Sequence, residues 1–170
     1  MLQGASSGAD LANRLIQQVQ RVVASDGTIK AKYLMVPIFP DISITPEAVR
    51  NNLNQNGKLQ QEINIFNQNV STQLSQIAAA NPDLKIYRPD IKTYLKEFAN
   101  QGSYVKPFLP CNSSGSVTSS PSAGQICSNP ENYLFWDNIH PTTKTHCNLA
   151  NKVTEYMEQS LGVTINKSSC

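Results

Sequence analysis

Tyr33-Leu34-Met35-Val36-Pro37-Ile38 runs into Phe39-Pro40-Asp41-Ile42-Ser43-Ile44 and then Thr45-Pro46-Glu47. The first six residues are a short unbroken apolar run, the composition of a strand covered on both faces of a parallel sheet. Prolines and Asp41 mark residues 39 to 45 as a loop. Thr45-Pro46-Glu47 then offers a capping hydroxyl, a proline at the first helical position and an acid in the first turn, so a helix starts there. Strand, short loop and helix together make the repeating unit of an α/β architecture.

Working outward, the same alternation continues. Upstream, Ser7-Gly8-Ala9-Asp10 reads as a capping box, and Leu11, Leu15, Ile16, Val19, Val22 and Val23 recur at helical spacing up to a stop at Gly27. Downstream, a helical region extends to about Ala79 with a break at Asn56-Gly57. Its core stripe is Leu59, Ile63, Phe66, Val70, Leu74 and Ile77. Leu84 to Arg88 alternates like a second strand, and Asp90 caps a short helix through Phe98. Residues 103–132 read as a loop, with Pro107, Pro110, Pro121 and Pro130 and a Ser-rich run from Asn112 to Ser122. Order returns at Tyr133-Leu134-Phe135-Trp136. A last helix follows, with Leu149, Val153, Tyr156, Met157 and Leu161 inward and Gly162 as its stop.

The length of 170 residues fits one domain, 1–170, with 103–132 inserted in it. Two clear strands are few for so many helices, so an apolar sheet edge is expected to lie open. A net charge of +2 with singly scattered Lys and Arg argues against a nucleic-acid partner. No apolar run approaches the roughly 20 residues of a membrane span. The N-terminal residues have neither the basic nor the apolar region of a secretion signal.

Cys111, Cys127, Cys147 and Cys170 contain no C-x-x-C pair, and with only two histidines they make a poor zinc set. An even count with two cysteines flanking a Ser/Gly-rich loop suggests disulfides and an oxidising compartment. Cys111–Cys127 is the favoured pair, closing that loop and leaving Cys147–Cys170. Four reduced thiols are the alternative. Asn69, Asn112 and Asn166 begin glycosylation sequons that read as fortuitous in so Asn- and Ser-rich a chain.

The chemistry concentrates in Asp137-Asn138-Ile139-His140-Pro141. A histidine base needs one ring nitrogen free and the other held by an oriented acceptor. Asp137, where the chain leaves the aromatic run, is three residues before His140 and can accept from its Nδ1. Tyr133 to Trp136 are expected to shield the pair from water. A bare D-x-x-H is a common string, and its bland reading makes Asp137 a cap of the last helix. His146 reads as a surface or supporting group, and Cys147 as structural.

The longer phrase from Tyr133 to His146 resembles the final block of the GDSL or SGNH family of lipases and esterases. It is closest to the bacterial branch of lysophospholipases, phospholipases A and glycerophospholipid:cholesterol acyltransferases. Tyr33 to Pro46 resembles the family's strand and Pro-Asp-Leu-Gly-x-Thr-Pro turn, with Ser43 where glycine is usual, and Phe66-Asn67 resembles its Phe-Asn pair. The likeness spans about Ala9 to Leu161. It implies a flavodoxin-like SGNH hydrolase fold, a five-stranded parallel sheet flanked by helices, of which this chain would hold the C-terminal part with the first strands absent. It further implies a serine ester hydrolase acting on lipids or lysophospholipids, with Asp137 and His140 as the catalytic residues and no metal or cofactor.

The family's Gly-Asp-Ser-Leu nucleophile block and Gly-x-Asn-Asp oxyanion residues have no counterpart here. Gly4-Ala5-Ser6-Ser7-Gly8 matches G-x-S-x-G, but a nucleophile elbow needs a preceding strand. The expectation is therefore an isolated chain that is inactive until an N-terminal half of the enzyme supplies the serine. Secretion or a periplasmic location would follow, with access to lipid at a membrane surface. The competing expectation is a non-enzyme, either a truncated remnant or a binding and assembly module.

Overall fold

The computed structural model describes residues 7–23, 31–114 and 125–170. The proposed stop at Gly27, the string from Gly4 to Ser6 and the centre of the Ser-rich run lie outside those residues. Helix α1 (Gly8–Val23) opens as its sequence asks, the Ser7 hydroxyl accepting from the Asp10 amide at 3.2 Å. Its buried stripe Ala12, Ile16, Val19 and Val23 packs with Val70, Leu74 and Ile77 of α3 (Lys58–Ala80). Gly8 meets α3 directly. Its amide donates to the Glu62 carboxylate at 2.6 Å, and an added Cβ there would fall on the Glu62 carbonyl.

Strand β1 (Tyr33–Met35) pairs in parallel with β2 (Lys85–Tyr87). Hydrogen bonds from Val36 to Tyr87 at 2.9 Å and from Ile38 to Pro89 at 3.0 Å carry the pairing to the end of the apolar run. Cover on both faces is not what the structure shows: Tyr33 is 70% and Met35 43% exposed, while Leu34 packs on the α1–α3 core. Among the described residues β1 has a strand on one side only.

After β1, Asp41 caps a 3-10 turn over Ile42–Ile44, and Thr45 caps α2 (Pro46–Arg50), accepting from Ala48 at 3.2 Å. The expected break falls at Asn56 and Gly57, with φ values of 53° and 71°, just before α3. Asn67 on α3 reaches back to Phe39, its Oδ1 accepting from the Phe39 amide at 2.8 Å and its Nδ2 donating to the Phe39 carbonyl at 3.0 Å. The Phe39 ring stacks edge-on to Phe66, with centroids 5.5 Å apart.

The second half is α4 (Ile91–Asn100), β3 (Lys106–Pro110), β4 (Tyr133–Phe135) and α5 (Thr143–Leu161). Asp90 caps α4 as expected, accepting from Thr93 at 2.9 Å. Strand β3 corrects the reading of residues 103–132 as loop throughout: it pairs in parallel with β4, Lys106 opposite Tyr133 and Pro110 opposite Phe135. Pro107 and Pro110 lack the N–H a ladder uses, and the register is irregular between Lys106 and Pro110. The described strands thus form two parallel pairs, where two strands were expected. Leu95, Phe98, Tyr104, Leu134 and Phe135 form a second core beside them.

Cys111 joins Cys127 and Cys147 joins Cys170, the kind of crosslink kept in oxidising compartments. The inward stripe of α5 is only half covered, and Leu161 is exposed. No helix among the described residues is long and apolar enough to cross a membrane.

Candidate active site

Past β4 the chain doubles back on itself. Phe135 bridges Pro141 in antiparallel fashion, the Trp136 amide donates to the His140 carbonyl at 2.8 Å, and the Thr142 amide to the Leu134 carbonyl at 3.0 Å. Asp137 to His140 are the tip of this excursion. Asp137 Oδ1 accepts from the Ile139 amide at 2.8 Å and the His140 amide at 2.7 Å. A short acidic side chain folding onto the following amides is a favoured local turn. The other carboxylate oxygen faces the His140 ring, Oδ2 to Nδ1 2.9 Å.

A carboxylate can only accept, so the proton in that contact sits on Nδ1, and neutral His140 presents Nε2 as a lone-pair acceptor. Asp137 is buried, whereas the His140 side chain is 62% exposed. The carboxylate is therefore withdrawn from water and the imidazole left open, unlike the expected shielding of both. Nor does Asp137 cap the last helix: Thr142 does, accepting from the Thr145 amide at 3.3 Å.

Burial pushes the Asp137 carboxyl up, but the amides of His140 and Ile139 and the His140 ring more than offset it and hold it below the usual carboxylate range. Asp41 follows the same pattern, burial outweighed by bonds from Ser43 and Gln60. A carboxyl depressed on folding contributes stability above its unfolded value and loses it as pH falls through the folded value. Both therefore contribute stability that is fully present toward neutrality and is lost as pH falls through and below the ordinary carboxylate range. Urea titrations across an acid pH series check this. Asp137→Asn should flatten that acid limb, and an unchanged limb would contradict the assignment.

Sequence reasoning missed the support beneath the turn. Thr145, fully buried, donates to the Leu134 carbonyl at 2.9 Å and lies 3.1 Å from the Tyr104 hydroxyl. Thr142 donates to the Tyr133 carbonyl at 3.0 Å, and Asn148 to the Tyr104 hydroxyl at 3.0 Å. The spacing of Thr142 and Thr145 was a readable helix start, but Tyr104 carried no local signal. Beside the turn, the Cys111 amide donates to Phe135 at 3.0 Å and the Asn112 amide to Trp136 at 2.6 Å. The Cys111–Cys127 crosslink thus roots its loop one residue from Asp137. Asn112, one sequon asparagine, is buried there. His146 is exposed on α5, its amide donating to the Thr142 carbonyl at 2.9 Å.

Comparison with curated proteins gives no match. The sequence profile of the GDSL-like lipase/acylhydrolase family matches residues 6–153, a span that holds α1, the four strands found among the described residues and the Asp137–His140 turn. On that match the chain belongs to the GDSL-like lipase/acylhydrolase family, among hydrolases of the esterase and lipase type.

Proposed function

We propose that this chain carries the acid–base end of a GDSL-type carboxylic-ester hydrolase acting on lipid esters, with lysophospholipids the leading class. The observation that carries the reading is the 2.9 Å contact between His140 Nδ1 and a buried Asp137, with the rest of the ring open. In this reading a serine hydroxyl attacks the acyl carbonyl while His140 Nε2 takes its proton. The imidazolium, stabilised by Asp137, then protonates the departing alkoxide. Water, or an alcohol in the acyltransferase variant, attacks the acyl-serine with His140 again taking the proton, and the serine is regenerated.

The serine and oxyanion donors belong, in this proposal, to a segment N-terminal to residues 1–170 of the same SGNH domain. Two observations support it: the sequence holds no Gly-Asp-Ser-Leu block, and β1 exposes Tyr33 and Met35 beside an edge without a strand among the described residues. A lipid substrate suits the exposed Phe108 and Leu109 of β3, Ile126 beside Cys127 and Ile139 beside His140. The disulfide-closed loop, rooted at Trp136, would border the acyl chain. The crosslinks fit a secreted or periplasmic setting.

The test is hydrolysis of p-nitrophenyl esters of graded acyl length by the chain alone and with the N-terminal segment added. Activity only on mixing is expected, with a shifted length preference when Cys111 and Cys127 are both replaced by serine. Activity of the chain alone that survives Ser6→Ala would overturn the external serine. No activity in either arrangement would favour the remnant or binding module, and an unaltered length profile would remove the loop from the substrate site.

A further inference from the structure

Asn138 stands between Asp137 and the amides that Asp137 holds, yet its carbonyl and its Nδ2 reach α2. Its carbonyl accepts from the Glu47 amide at 2.9 Å, and its Nδ2 donates to Glu47 Oε2 at 3.1 Å. The two residues are 91 positions apart in sequence. Asn138 is 3% exposed, so solvent is a poor substitute for these partners. Glu47 is itself fixed: Arg50 donates to the same carboxylate oxygen at 3.0 Å, and Asn51 Nδ2 to the other at 2.7 Å.

The Asn138 carbonyl and the Ile139 amide belong to one planar peptide unit. One end of that plane takes a hydrogen bond from the first turn of α2, and the other gives one to Asp137 Oδ1. Its tilt is therefore set from both sides, and with it the direction in which the carboxylate meets the His140 ring. The Glu47 amide bond survives any side-chain change, so we propose that it is the Glu47 carboxylate, gripping Asn138 Nδ2, that makes Glu47 a positioning residue for the Asp137–His140 pair, acting through the Asn138–Ile139 peptide unit. This rests on the hydrolase reading only in treating that pair as catalytic.

The test uses the chain itself. In Glu47→Ala, amide exchange at Ile139 and His140 should quicken about tenfold, while Val70 and Leu74 in α3 keep their rates. The nitrogen-15 signals of the His140 ring should move from a single tautomer toward a mixture. Glu47→Gln retains an oxygen acceptor for Asn138 and should restore exchange to within about twofold of the parent. With the serine-bearing segment added, Glu47→Ala should lower kcat about tenfold at unchanged KM.

Unchanged exchange at Ile139 and His140 would overturn the proposal. So would an equal rise at Val70 and Leu74, which marks general destabilisation, or a failure of Glu47→Gln to restore. Ester hydrolysis absent from every mixture, with the exchange and tautomer changes present, would defeat the hydrolase reading and leave the Glu47 role standing.

Discussion

Replacing His140 with glutamine should slow ester hydrolysis by the assembled enzyme about a thousandfold or more in kcat/KM, the usual loss when a histidine base is removed. Glutamine can fill the space but cannot carry a proton between serine and leaving group at neutral pH. Asp137→Asn should cost a similar factor by a different route. Its Oδ1 can still receive the amides of Ile139 and His140, so the turn persists. Its Nδ2, however, presents a donor to Nδ1, and the ring answers by placing its proton on Nε2, where the lone pair is needed. Because neither change touches where an acyl chain binds, KM should stay near the parent value. Retention of activity within about tenfold in either variant would remove the pair from the chemistry.

Leu134→Ala should give the largest loss of stability, about 3 kcal/mol. Leu134 is fully buried in β4, packed with Leu95, Phe98 and Tyr104, and its carbonyl is the anchor for both Thr145 and the Thr142 amide. Truncation leaves a cavity directly beneath the turn. Thermal unfolding should fall by roughly 6–12 °C for a chain of this size, and Leu134→Met should recover most of it. A shift under about 2 °C would mean that this core does not hold the turn.

How much of this was legible depended on how local the signals were. The first turns of α1, α2 and α4 were readable because Ser7, Thr45 and Asp90 act on amides within three residues of themselves. The Asp137–His140 contact was readable for the same reason, being closed within one turn. Strand β3 was not, since Pro107 and Pro110 bracket its apolar pair and argue for loop, while its pairing with β4 is made across more than 20 residues. The cover of β1 was misjudged because an apolar run states what could be buried, and Tyr33 and Met35 find no such burial among the described residues. Glu47 and Tyr104 were invisible, as their partners Asn138 and Thr145 are 91 and 41 positions away.

Asn67 has a consequence of its own. One primary amide offers Phe39 both a donor and an acceptor, so the loop backbone finds at Asn67 the pairing a neighbouring chain would otherwise give. The constraint on position 67 is thus hydrogen-bond valence and reach rather than polarity. Aspartate brings the reach without a donor, glutamine the valence one methylene too far out, and leucine neither. The same Phe39 also meets Phe66, the residue before Asn67, through its ring. A single uncharged side chain there sets where the path from sheet to α2 begins.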